Sequence, residues 1–293
     1  LKPEIRGYGY AFLATTAGST VYIFSKAALN EVSLAQFGVY WFTMAILWNS
    51  LFTLRSAEHR RLPKLSGSMI KVLITIGLIE LVATGSFYMA ISISENPSIP
   101  SFLRNLEYIF VTLMGVILLG ERFVGIQKIG VVLTFAGAMV ISYQKGGTPA
   151  SYLSGSAGLM LVSTLFYGIR TITVKKNIQR VSPTILAINR AIFLLGMATV
   201  LLLVWQQNLK IPGSALLNIM AGSFLGPFLT SLGQYSALKY IPASRAAIIQ
   251  SSTALFVVLG VFIYFGRLPM LYQVIGGLLT VAGVILLFKA KRN

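Results

Sequence analysis

Ten apolar runs of about 20 residues each fill this chain, and that is the length a helix needs to cross a hydrocarbon core of about 30 Å. They lie near 7–28, 34–55, 68–93, 98–119, 124–143, 155–175, 183–205, 213–239, 243–265 and 270–288. Short polar stretches separate them and leave no room for a domain outside the membrane. Charged residues make up 11% of the chain and hydrophobic residues 56%. A soluble domain runs nearer a quarter charged, so a water-exposed surface could not be covered here. The first run reads as a span and not as a cleavable leader. Pro97, Pro183, Pro212, Pro242 and Pro269 stand at run starts, where a missing N–H matters least.

The ionic residues orient these spans. There are 24 Lys and Arg against seven Glu, with no Asp, for a net charge of +17. In a soluble chain that excess would suggest nucleic acid; here the basic residues cluster in short stretches between apolar runs. An even span count puts both termini on one side. Seventeen basic residues fall on that side, and four (Lys26, Lys145, Lys210 and Arg267) on the other. Cytoplasmic loops carry the excess of Lys and Arg, so both termini are expected in the cytoplasm of a bacterial inner membrane. Cysteine is absent, and the single His59 sits in a basic stretch, so no metal site is expected. No phosphate-binding loop of the G-x-x-x-x-G-K-[ST] type occurs. No cofactor and no enzymatic activity are expected.

The chain also repeats itself. At a shift of 146 residues, Gly120, Gln127 and Gly130 fall on Gly266, Gln273 and Gly276. Leu133-Thr134-x-Ala136-Gly137 falls on Leu279-Thr280-x-Ala282-Gly283. Earlier matches include Val32-Ser33 with Val181-Ser182, and Tyr88-x-Ala90-Ile91 with Tyr235-x-Ala237-Leu238. The expected units are 1–143, a linker 144–154, and 155–293. Five spans per unit is odd, so the second unit enters the membrane from the opposite face. Inverted repeats of this kind build alternating-access transporters. The expected architecture is an all-α integral membrane protein, with ten transmembrane helices as two inverted five-helix repeats around a central cavity. The small residues of the fifth and tenth spans suit close helix packing.

Leu118-Leu119-Gly120-Glu121-Arg122, with Gln127-x2-Gly130 and Ala136-Gly137, resembles the end of an EamA repeat of the drug/metabolite transporter superfamily. Two such repeats cover the whole chain, and the overall pattern is most similar to the YddG-type aromatic amino acid exporters. The chain departs from the family where its Leu-Glu-Pro reads Leu106-Glu107-Tyr108, without the kinking proline, and where Gly-Glu becomes Gly266-Arg267. The resemblance implies export of amino acids, aromatic and others in a broad range, by a carrier in the lipid bilayer; the sequence leaves open whether it acts as a monomer. It also implies that spans one to four and six to nine surround the cavity, with five and ten outside. The alternative is another metabolite class, such as sugar phosphates or nucleotide sugars.

Ionisable groups at bilayer depth are costly and face a cavity or a partner. Glu80, Glu107, Arg104 and Arg190 lie deep in their runs, and Arg104 and Glu107 share a helix face at i,i+3. They serve either as structural ion pairs or as ligands for a zwitterion and carriers of a proton; the sequence leaves both open. Arg170, five residues before Lys175, is expected to reach the membrane surface. Neutral polar candidates at similar depth are Thr16, Ser19, Tyr108, Thr164, Tyr167, Asn189, Gln234, Tyr235, Gln250 and Ser251. The amides of Asn189, Gln234 and Gln250 are poorly satisfied within a helix and are expected to face ligand or water. Ser and Thr can instead bond their own backbone. Pro227, in mid-run, falls on Glu80 at a shift of 147 and marks a bent span near the transport site.

Overall fold

The computed structural model describes residues 3–55, 66–119, 125–143 and 154–289. His59, the Gly120-Glu121-Arg122 motif and residues 144–153 of the linker lie outside them. The described elements are helical throughout. In the first half these are α1 (Pro3–Leu29), α2 (Leu34–Arg55), α3 (Gly67–Ile93), α4 (Ser98–Leu103), α5 (Leu106–Leu119) and α6 (Gly125–Ile141). In the second half α7 (Gly155–Asn177) and α8 (Pro183–Val204) come first. Then follow α9 (Gly213–Ser223), a π-helical segment (Phe224–Thr230) and α10 (Ser231–Tyr240). The last are α11 (Ala243–Ser251), α12 (Thr253–Phe265) and α13 (Leu271–Lys289). Six described stretches are long and apolar enough to cross a membrane: α2, α3, α7, α8, α9 through α10, and α11 through α12. Large apolar side chains on outer faces stand exposed, among them Leu217, Ile263 and Leu271. Such faces suit lipid, not water.

Local chemistry sets the helix ends. Ser66 accepts from Met69 N at the start of α3, and Ser182 accepts from Ile185 N at the start of α8, with Pro183 following as the first helical residue. Gly266 closes α12 at φ +64°, a left-handed position that suits glycine.

Both fourth-position stretches are broken. Between α4 and α5, Glu107 N and Tyr108 N bond back three residues to Arg104 O and Asn105 O. Between α11 and α12, Ser252 N and Leu255 N do the same to Ile249 O and Ser252 O. No proline causes the first break. At the break, the buried Asn105 donates to Thr280 Oγ1 of α13 at 2.9 Å. The missing family proline therefore does not leave this stretch straight. Pro227 lies in the π-helical segment, where Thr230 Oγ1 donates to Leu225 O five residues back.

Packing matches across the two halves. The third helix of the first half, α3, packs on α7, the first of the second; α1 in turn packs on α9, the π segment and α10. α2 lies on α8, and α6 along α13. The last pair is close: a Cβ on Gly137 would sit 2.5 Å from Gly276 O, and one on Gly276 2.8 Å from Gly137 O. Two buried clusters fill the interior. One gathers Phe37, Trp41, Tyr88, Phe87 and Tyr22; the other gathers Leu73, Ile76, Ile178, Leu186, Leu238 and Ile241.

Candidate functional site

Beside the first of these clusters, whose Tyr22, Phe87 and Tyr88 form part of its wall, lies a cavity of about 90 Å³. Both halves line it: Tyr22 of α1, Phe87 and Tyr88 of α3, Ser101, Arg104, Asn105 and Tyr108 at the α4–α5 break, and Tyr167 and Arg170 of α7. Arg190 of α8, Gly226, Pro227 and Thr230 of the π segment, Gln234 of α10, Gln250 of α11 and Thr253 of α12 complete the polar wall. The three irregular stretches thus all meet here, where a straight helix would present to the cavity only side chains about one turn apart. α6 and α13 stay outside the lining, in keeping with the resemblance. α2 also contributes no lining residue; its Phe37 and Trp41 pack behind Tyr88, with ring centroids 5.1 and 5.8 Å away.

A charged cluster forms one wall. Glu80, fully buried, accepts four hydrogen bonds. Its Oε1 takes Arg170 Nη1 at 3.3 Å and Tyr235 OH at 3.3 Å. Its Oε2 takes Thr84 Oγ1 at 2.6 Å and Arg190 Nε at 3.0 Å. A carboxylate has about four acceptor sites, so Glu80 is saturated by the protein. Thr84 gives its only proton to Glu80; the Tyr167 hydroxyl, 2.8 Å from Thr84 Oγ1, is therefore the donor of that pair. Arg190 also donates to Ser231 Oγ at 2.8 Å.

Glu107 forms the second centre. Arg104 Nε donates to its Oε2 at 2.8 Å, Thr171 Oγ1 to its Oε1 at 2.9 Å, and Arg170 Nη2 lies 3.6 Å from Oε1. The i,i+3 spacing of Arg104 and Glu107 delivers the ion pair expected of it. Arg170 departs from expectation. It does not reach the surface: it is 2% exposed and bridges Glu80 and Glu107. Two buried carboxylates outcompete the membrane boundary for a guanidinium, because an unpaired buried anion is far costlier than a longer reach foregone. Tyr167 is clasped between two guanidiniums, with Arg104 Cζ 3.6 Å and Arg170 Cζ 4.7 Å from its ring centroid.

Of the residues singled out from sequence, Arg104, Tyr108, Tyr167, Arg190, Gln234 and Gln250 line the cavity. Gln234 Nε2 donates to Gln250 Oε1 at 3.1 Å. Glu80 and Tyr235 sit just behind the wall; Glu107 borders a neighbouring space of about 10 Å³. Thr16, Ser19, Thr164 and Ser251 bond carbonyls of their own helices, within four residues. Asn189 ties α8 to α3 by donating to Leu73 O at 2.9 Å. Sequence reasoning missed Tyr22, Phe87, Tyr88, Asn105 and Arg170. Asn105 had a local signal, as the polar neighbour of Arg104; the aromatics had none, because an aromatic in an apolar run reads the same whether it faces lipid, core or cavity. Among the described residues no group of His, Cys, Asp or Glu is arranged to hold a metal.

A solved crystal structure of another protein shares the fold, with a TM-score of 0.68 at 14% identity, over 97% of this chain and 95% of that one. No curated protein matches the sequence. Two segments, residues 5–143 and 155–289, match the EamA-like transporter family. With both matches spanning nearly the whole chain, it belongs to that family: a multi-pass membrane transporter of small molecules built from two EamA repeats.

Proposed function

We propose that this EamA transporter exports amino acids, aromatic ones foremost in a broad range, across a bacterial inner membrane by alternating access. The observation that carries the reading is the cavity wall: guanidiniums, carboxamides and tyrosine hydroxyls beside aromatic rings, contributed by both halves. Such a wall matches a solute with a charged head and an apolar ring. The candidate set is the lining residues together with Glu80, Glu107 and Tyr235, which position the arginines. Thr16, Ser19, Thr164, Asn189 and Ser251 enter only through helix movements that turn them inward. At about 90 Å³ the cavity is smaller than the roughly 300 Å³ at which ligand pockets begin, so loading requires helices to part.

Ten spans in two inverted repeats supply that motion. Beyond the six clear spans, α1 has 27 residues, α6 has 17 and α13 has 19, and α4 with α5 forms a broken span across 98–119. The exchange-related packing of α3 on α7 and of α1 on α9–α10 is what two inverted halves would give. Two lysines add support. Lys26, near the end of α1, donates to Ser92 O at the end of α3 at 2.9 Å. Lys175, near the end of α7, donates to Leu238 O and Ile241 O at the end of α10, at 2.7 and 3.2 Å. In an inverted arrangement these equivalent clasps lie at opposite membrane faces.

The second reading, a sugar phosphate or nucleotide sugar carrier, draws on one observation: three guanidiniums face two carboxylates, a net positive charge. Uptake of radiolabelled amino acids and of sugar phosphates into proteoliposomes separates the two. Saturable uptake of aromatic amino acids is expected. Uptake of the phosphates alone would replace the reading.

A further inference from the structure

Taking the central cavity as the transport site proposed above, we infer that it recognises its solute through a carboxylate held by Arg104 and makes no ionic contact with an ammonium, so that it accepts aromatic monocarboxylates lacking an amine and rejects the corresponding amines. A site for a zwitterion is usually pictured with one charge of each sign. Here the acid half of that picture is already consumed. Glu80 does not line the cavity, and its oxygens carry four protein donors. Glu107 does not line it either, and each of its oxygens is bonded, Oε2 by Arg104 and Oε1 by Thr171. To bind a substrate ammonium, either carboxylate would have to release a buried arginine, exchanging one ion pair for another and stranding a guanidinium.

The basic half is in the opposite condition. Three arginines line the cavity, and their side chains differ in access: 21% exposed for Arg104, 13% for Arg190 and 3% for Arg170. Arg104 gives its Nε–H to Glu107, which leaves the N–H donors of its two Nη nitrogens for Tyr22 beside it and for whatever fills the cavity. The ring of Tyr167 at 3.6 Å and that of Phe87 at 5.5 Å fix the plane of this guanidinium. A fixed fork of paired donors fits a carboxylate at both oxygens. One bound carboxylate also brings the cluster to neutrality, whereas an ammonium would add to its surplus.

An amino group, when the solute has one, is left with neutral oxygens. Gln234 donates its amide N–H to Gln250, so the Gln234 carbonyl oxygen is turned free of that bond. It and the hydroxyls of Tyr88 and Ser101 are acceptors of ordinary strength. Losing them weakens binding modestly, while losing the charged contact to Arg104 costs roughly 10- to 100-fold in affinity.

The test uses three probes of one ring size: phenylalanine, 3-phenylpropionate and phenethylamine. Each is measured for thermal stabilisation of the purified protein and for inhibition of radiolabelled phenylalanine uptake into proteoliposomes. Phenylalanine and 3-phenylpropionate are expected to bind within about 10-fold of each other, and phenethylamine to fall roughly 10- to 100-fold behind. Arg104→Gln is expected to erase the preference for the acid; the charge-neutral pair Arg104→Gln with Glu107→Gln serves if the single variant does not fold. Equal binding of the amine and the acid overturns the inference, as does failure of all three probes to bind, or a preference for the acid that survives loss of Arg104. If 3-phenylpropionate binds and no amino acid is transported, the export reading falls and carboxylate recognition stands. If phenylalanine is transported and the amine competes in place of the acid, the reverse holds.

Discussion

Replacing Glu80 by glutamine tests whether the charge cluster holds the protein together or takes part in transport. Glutamine keeps one carbonyl oxygen for two of the present four donors and turns an NH2 group against the others. The negative charge disappears, leaving Arg170 and Arg190 at 3% and 13% side-chain exposure. Arg170 retains Glu107 at 3.6 Å, and Arg190 retains only the neutral Ser231 as a fixed partner outside the Glu80–Thr84 pair. Removing one partner of a buried ion pair costs about 3–5 kcal/mol, and two arginines lose a partner here, so the upper end applies. Against a total stability of about 5–15 kcal/mol that is a large fraction. Glu80→Gln should therefore unfold at clearly lower temperature in detergent. Adding Arg190→Met removes the stranded charge and should return part of the loss, as coupling of about 0.5–3 kcal/mol between contacting residues allows. Thermal unfolding of wild type, both single variants and the double variant closes the cycle, with proteoliposome flux measured beside it. An unchanged unfolding temperature in Glu80→Gln together with abolished flux would refute the structural assignment and make Glu80 a transport group.

Gln250→Ala and Tyr167→Ala should weaken transport affinity, by roughly 2- to 10-fold for a lost hydrogen bond of ordinary strength, while the expressed protein stays folded in the Gln250 variant; unchanged affinity in both would remove them from the site. A cysteine at Thr148, the only thiol in a chain that has none, should react with an impermeant reagent added outside intact cells, and labelling that requires permeabilisation would reverse the proposed orientation. Gly137→Ala places a Cβ 2.5 Å from Gly276 O and should lower stability by about 1–3 kcal/mol through overpacking, with substrate affinity unaltered; a wild-type melting temperature would show that α6 and α13 are not held in close contact.

Six of the ten expected spans were legible in the sequence as long apolar helices, and their rotation was not. The run at 34–55 coincides with α2, and the proline-marked starts fall at helix ends, because apolar length and turn chemistry are both written locally. The Arg104–Glu107 pair was also local, one turn apart on one helix. Arg170 was misjudged because its partners are Glu80, 90 positions away, and Glu107, on another helix. In a soluble helix the apolar stripe would have shown which face is buried. Here lipid and core are equally apolar, so that stripe vanishes, and Tyr22, Phe87 and Tyr88 could not be told from lipid-facing aromatics. The break at Arg104–Asn105 carries neither Gly nor Pro, and Asn105 there bonds Thr280, 175 positions away. Thr16, Ser19, Thr164 and Ser251 carry the same hydroxyls as Thr84 and Ser231, and only tertiary position separates those that bond their own helix from those that join the cluster.

The features that are doubled and those that are single divide by task. The helix breaks, the glycine contacts of α6 and α13 and the lysine clasps occur once per repeat. The charged cluster does not: at the shift of 147, Glu80 falls on Pro227, Arg104 on Ser251 and Glu107 on Ala254. A carrier that alternates between two forms needs pairs for whatever exchanges roles and one copy of whatever must serve both forms. If the chain alternates as proposed, the lysine clasps would be the exchanging pair, since each binds carbonyls at the end of the third helix in its own repeat. Each charged hydrogen bond is worth about 1.5–3 kcal/mol, enough to move the balance of the two forms by roughly 10- to 100-fold. Lys26→Met should favour opening at the face where α1 and α3 end, and Lys175→Met at the face where α7 and α10 end. With a single cysteine introduced at Ser101 in the cavity wall, impermeant thiol reagents applied from either side of oriented vesicles read the balance. The two variants should raise the labelling rate from opposite sides. A rise from the same side in both, or from neither, would mean that the clasps are static ties and that the exchange is set elsewhere.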